Sequence, residues 1–202
     1  MNESKINDVL LRYSSMMDEV MLRIKSIESI INQTSSTGYR QTDGEYICLQ
    51  VRKILELIAF ANMVSNMNLY ADTYRKIERH YKAHLILEYI KKINPRYYPL
   101  PVKQDAATRT RIPLENGFLT EDEFIHLYND CSEYLHAANP LTPQRSIHQV
   151  FEEYPKWIIK IIALLELHSI RLVDDTEIWV ILNTIPNGKA SSYLAKRYKP
   201  HT

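Results

Sequence analysis

The chain has 202 residues, 45% of them hydrophobic, four glycines and a formal net charge of +1. That length can bury a core without disulfide or metal staples, and the composition excludes a disordered or fibrous chain, while the near-neutral total still permits a locally basic face. Cys48 and Cys131 both stand inside apolar-periodic segments and read as reduced thiols of a cytoplasmic protein rather than a disulfide framework.

The opening residues, Met1-Asn-Glu-Ser-Lys, carry mixed charges without an apolar run, so export is not expected. From Ile6 to Ile31 the apolar positions Val9, Leu10, Tyr13, Met16, Met17, Val20, Met21, Ile24, Ile27 and Ile30 advance at helical spacing, which predicts a long amphipathic helix. A polar loop from Gln33 leads to Thr42 and Glu45, a capping-box pair that predicts the start of a second helix. That helix carries Ile47, Cys48, Val51, Ile54, Leu55, Ile58 and Val64 inward, with Arg52 and Glu56 four apart on one side. A third helix is predicted from about Ala71 to Ile93, stopped by Asn94-Pro95.

From Pro95 to Leu119 four prolines and the lack of a sustained period predict a long loop with room for short extended pieces. Thr120 and Glu123 repeat the capping-box signature and open a fourth helix with Phe124, Leu127, Tyr128, Cys131, Tyr134 and Leu135 inward. Its far end carries Asn129, Asp130, Ser132, Glu133 and His136 and stops at Asn139-Pro140. Thr142-Pro143 predicts the start of a fifth helix running to about Val173, with Pro155 as a point of bending. Its most apolar part, Trp157 to Leu167, is broken by Lys160 and Glu166 and falls short of the roughly 20 residues that span a bilayer, so no membrane partner is expected. Glu177 to Leu182 and Ala190 to Arg197 flank an Asn-Gly turn and predict a small β-hairpin. The expected fold is all-α: an antiparallel bundle of about five helices over residues 1–173, with a C-terminal β-hairpin appendage at 174–202.

Charge is unevenly spread. Between Tyr70 and Arg111 ten basic residues face four acids, whereas Leu114 to Pro140 holds six acids and no lysine or arginine. In the basic stretch Arg75, Lys76, Arg79 and Lys82 are interleaved with tyrosines such as Tyr81, a combination that can neutralise phosphates and stack bases. The same pattern also suits a solvated helix face, or a basic third helix paired with an acidic fourth.

Three constellations could carry chemistry. His80, His84 and Glu88 share a helix face at four-residue steps, but two histidines on a basic helix are more often simply solvated, and no metal or cofactor is expected. Cys131 or Ser132 with His136 would make a nucleophile and base, yet no nucleophile elbow surrounds them. The third is acid–base cleavage of RNA, in which a histidine moves a proton and a cation holds the phosphate.

Long antiparallel helices, a polar helix end closing in Tyr134-Leu135-His136, and the pair Asn129-Asp130 before it resemble the HEPN (higher eukaryotes and prokaryotes nucleotide-binding) superfamily. The resemblance implies a helical bundle, often homodimeric, that binds RNA or nucleotide. In many members it implies a metal-independent ribonuclease of toxin–antitoxin or anti-phage systems. The family motif is an arginine separated from a following histidine by four to six residues. His136 matches the histidine, whereas the arginine's positions hold Cys131, Asp130 and Asn129. The resemblance then implies either a non-catalytic relative or a catalytic set of His136 with Asn129 and Ser132 whose cation comes from elsewhere, with Arg52 beside Glu56 on the second helix as the donor. Arg75, Lys76, Arg79, Lys82 and Tyr81 would bind the nucleic acid.

Plainer roles exist for the same residues. His136 suits the C-terminal end of a helix dipole, Arg52 and Glu56 an intrahelical ion pair, and Ser132 a bond to a carbonyl one turn back. The alternative function is a non-enzymatic interaction module in which the first helix, with its Met16, Met17 and Met21, assembles a homodimer or binds a protein partner.

Overall fold

The computed structural model describes residues 3–65, 83–137, 146–172, 176–182 and 188–196. Within them lie five helices, α1 Glu3–Ile31, α2 Arg40–Ser65, α3 Ala83–Ile93, α4 Glu121–Leu135 and α5 Ile147–Leu165. They are accompanied by five strands, β1 Leu100–Gln104, β2 Arg111–Pro113, β3 Leu167–Arg171, β4 Thr176–Ile181 and β5 Ser191–Lys196. The strands form one antiparallel sheet in the order β2-β1-β3-β4-β5. This corrects the expected all-α bundle with a small hairpin. The hairpin strands β4 and β5 are present and antiparallel, but they complete a five-stranded sheet.

Two features account for the difference. The fifth helix was expected to reach about Val173, yet it ends at Leu165 and the chain enters β3 at once. His168, Ser169 and Ile170 are all buried, so the strand lacks the polar–apolar alternation that would separate it from an apolar helix end. Two bonds stop the helix. The His168 Nδ1–H donates to Leu165 O at 2.9 Å, and Glu166 O accepts from Leu182 N at 2.8 Å. Leu165 and Glu166 thus use carbonyls freed at the helix end.

The second concerns the proline-rich loop, whose expected short extended pieces are β1 and β2 but join the main sheet. Pro101 sits inside a sheet because β1 divides its pairing. Leu100 and Pro101 stand opposite β3, Val102 to Gln104 pair with β2, and the Pro101 carbonyl accepts from Leu114 N, just after β2, at 2.9 Å. Pro113 closes the edge strand β2, a position where a missing N–H is tolerated.

Helix boundaries follow local chemistry. Thr120 and Glu123 form the expected capping box of α4. The start of α2 differs from expectation: the helix begins at Arg40, and Thr42 Oγ1 donates to Tyr39 O at 2.8 Å. Asp43 instead gathers the preceding loop, accepting from Thr37 N at 2.6 Å and Ser36 Oγ at 2.9 Å. The Thr37 amide is the main reason that the Asp43 carboxyl is held below its ordinary range. The α5 N-cap is Ser146, whereas the expected Thr142-Pro143 start lies outside the described residues.

In its second half α2 is buried on nearly every side, with Ala59, Ala61, Asn62, Met63, Val64 and Ser65 all inside. It packs against α1, α3, α4 and α5, as an all-round buried helix must. The sheet turns His168, Ile170, Ile178 and Val180 inward, and Tyr13 of α1 bonds His168 Nε2 at 2.8 Å. On the opposite face Arg111 lies 4.2 Å over the Trp179 ring. β5 is fastened to α1: Ser192 Oγ donates to Leu10 O at 2.8 Å, and Ala190 N donates to Asp18 Oδ1 at 2.6 Å. No helix among the described residues is long and apolar enough to cross a membrane.

Candidate functional site

The core pattern of α4 turns Phe124, Leu127, Tyr128 and Cys131 inward, and α2 packs along that face. On α2, one turn from the buried Cys48, Arg52 Nε contacts Glu56 Oε1 at 3.2 Å. The Arg52 guanidinium carbon lies 5.1 Å from the Tyr128 ring centroid, and Tyr128 Oη donates to Glu56 Oε1 at 3.4 Å. Arg52 and Glu56 side chains keep 33% and 20% of their exposure, so the cluster is half-sunk and reachable from solvent. Burial works against the Arg52 charge. The Tyr128 and Glu56 contacts outweigh it, and its pKa is raised.

Asn129, Ser132 and His136 follow Tyr128 at steps that place them on one flank of α4. Asn129 and His136 are exposed, while Ser132 is half-buried and donates to Tyr128 O at 2.9 Å. His136 is the helix C-cap residue, and its backbone N–H donates to Glu133 O at 3.3 Å. His136 stands about 12 Å beyond Tyr128 along the helix axis, at about 1.5 Å per residue. The structure therefore brings Arg52, Glu56 and Tyr128 together, with Asn129 and Ser132 beside them. His136 belongs to the same flank but not to the cluster.

The other sequence candidates separate. Cys131 is fully buried with Sγ 3.4 Å from Tyr154 Oη of α5, on the far flank of α4 from His136, so the two do not form a nucleophile–base pair. Arg75, Lys76, Arg79, Lys82, Tyr81 and His80 lie outside the described residues. Glu88 is exposed on α3, and no group of three metal-ligating side chains occurs among the described residues. Between the basic third and acidic fourth helices, Lys91 Nζ pairs with Glu121 Oε1 at 2.9 Å. Met17 is buried in the core, and Met16 and Met21 pack against it.

Tyr128 is the member that sequence reading missed as a site residue. An inward tyrosine in a helical stripe looks like any core aromatic, and only its neighbour Asn129 hinted at a polar flank. A shallow depression on α5, lined by Glu153, Lys156, Trp157 and Lys160, involves none of these residues. No family model, curated protein or solved structure matches the chain.

Proposed function

We propose that the protein is a HEPN-like binder of RNA or nucleotide, and a metal-independent ribonuclease of a toxin–antitoxin or anti-phage system, working in the cytoplasm. The observation that carries this reading is the placement of Arg52. Its guanidinium reaches from α2 to Tyr128, next to Asn129, where α4 itself has no arginine.

An ion pair this exposed is worth little, so a phosphate can replace Glu56 as the partner of Arg52 at small cost. Glu56 keeps the guanidinium oriented until then. A strand laid along the α4 flank meets Arg52 first and His136 two turns later. In the cleavage reaction His136 takes the proton of a 2′-hydroxyl, whose oxygen attacks the adjacent phosphorus as the 5′-oxygen leaves and takes a proton from water, while Arg52 anchors another phosphate of the same strand. Asn129 and Ser132 lie between the two as hydrogen-bonding groups.

The test incubates a mixed RNA pool without added metal with the protein and with its His136→Ala and Arg52→Ala variants. Cleavage by the unaltered protein that both variants lose is the expected result. Identical RNA patterns for all three sink the catalytic reading. Equal RNA affinity for the protein and Arg52→Ala sinks the binding one.

A further inference from the structure

Beside the α2–α4 seam the interior holds two thiols and one hydroxyl. Cys48 of α2 and Cys131 of α4 are free and fully buried. Each sulfur lies 3.4 Å from the same atom, Tyr154 Oη of α5, so the two cannot be farther apart than twice that distance. Side-chain rotation with a small helix shift closes such a gap to the roughly 2 Å of a disulfide. The chain has no third cysteine to compete.

The two thiols are not equivalent. The neighbouring Cys131 thiol pulls the Cys48 thiol below its ordinary range, whereas burial pushes the Cys131 thiol up. The two form one interacting pair, and the disulfide is the same whichever thiol attacks first.

We propose that Cys48 and Cys131 form a reversible oxidation site, closing to an intramolecular disulfide that staples α2 to α4. The oxidant is a peroxide. The Cys48 thiolate attacks one peroxide oxygen, the O–O bond breaks, and the departing hydroxide takes up the proton released by the thiol and leaves as water. The Cys131 sulfur then attacks the resulting sulfenic sulfur. The S–O bond breaks, and a second water departs with the Cys131 proton. Two thiols lose two electrons and one hydrogen peroxide becomes two waters, while a dithiol reductant reverses the step. Tyr154 is a positioning residue, its hydroxyl holding both sulfurs at one point. Because Cys48 precedes Arg52 by one turn and Cys131 follows Tyr128 by three residues, the staple fixes the spacing across which Arg52 meets Tyr128. The oxidation itself is independent of what that seam binds.

The experiment treats the reduced full chain with hydrogen peroxide under native conditions, blocks remaining thiols with an alkylating agent, and reads intact mass and melting temperature. The expected product has lost about 2 Da, takes no alkyl group, and returns to the starting mass with dithiothreitol. Closing a loop of roughly 80 residues should raise its melting temperature by roughly 10 °C. Cys48→Ser and Cys131→Ser should each abolish the mass loss, and Tyr154→Phe should slow it. If a serine variant does not fold, peptide mapping of the oxidised unaltered chain for a Cys48–Cys131 link decides the matter. Two thiols still open to alkylation after peroxide and later unfolding, oxygen addition without the 2 Da loss, or disulfides formed only between chains would overturn the proposal.

Discussion

Two polar clusters join elements far apart in sequence, and they differ in what surrounds them. Tyr13 and His168 tie α1 to β3 in a fully buried pair in which every polar atom is used: Tyr13 Oη donates to His168 Nε2, and His168 Nδ1–H donates to Leu165 O. Arg52, Glu56 and Tyr128 tie α2 to α4 with solvent on one side, and their contacts are long or exchangeable. The first is closed to any ligand and holds the fold together. The second leaves a cation in reach of one, and this contrast separates a structural polar cluster from a candidate site.

The sharpest way to break the contrast is to cut the sealed pair. His168→Ala leaves the Tyr13 hydroxyl without a partner beside a new cavity, and should destabilise the protein by about 3 kcal/mol, measured as a drop in chemical-denaturation midpoint. A loss below about 1 kcal/mol would show that the pair is dispensable.

A second effect of similar size comes from pH. Burial pulls the His168 pKa from its ordinary 6.5 to about 4, so the folded protein keeps a neutral ring where the unfolded chain takes up a proton. This contribution to stability is fully present above pH 6.5 and is lost as pH falls toward 4, amounting to about 3 kcal/mol. Denaturant midpoints should fall across that window, and they should fall less in His168→Ala.

The open cluster should behave in the opposite way. Arg52→Ala should change stability by less than about 1 kcal/mol while reducing RNA affinity at least tenfold at low salt. A large stability loss with unchanged affinity would move Arg52 to the structural side. Smaller again, Tyr128→Phe removes the hydroxyl that bonds Glu56 and Arg52 but keeps the ring under Arg52, so stability should shift by about 1 kcal/mol or less. Thermal melts of the two variants side by side give both comparisons.

The parts of the fold governed by local rules could be read from the sequence. The long stripe from Val9 to Ile30 became α1, and Thr120 with Glu123 capped α4, because helical period and capping depend on residues within one or two turns. The sheet could not be read this way. β3 is buried on both faces and mimics the helix before it, and the prolines of β1 and β2 are admitted only by pairings made elsewhere in the chain. The site divides in the same manner. Spacing alone showed that Arg52 and Glu56 could meet, whereas the approach of Tyr128 depends on how α2 packs on α4. His136 carried the sequence resemblance, but a helix rise of about 1.5 Å per residue places it too far along α4 to join the cluster.

The fastening of β5 onto α1 sets an order of events during synthesis. The contacts of Ser192 with Leu10 and Ser14, and of Ala190 with Asp18, span 172 or more residues of chain. The α1 surface that receives β5 is made well before β5, so Leu10, Ser14 and Asp18 wait through the synthesis of 172 or more residues for their partners. A chain released before Ser191 would leave that surface bare and β4 as an uncovered sheet edge, the feature through which immature strands pair with one another.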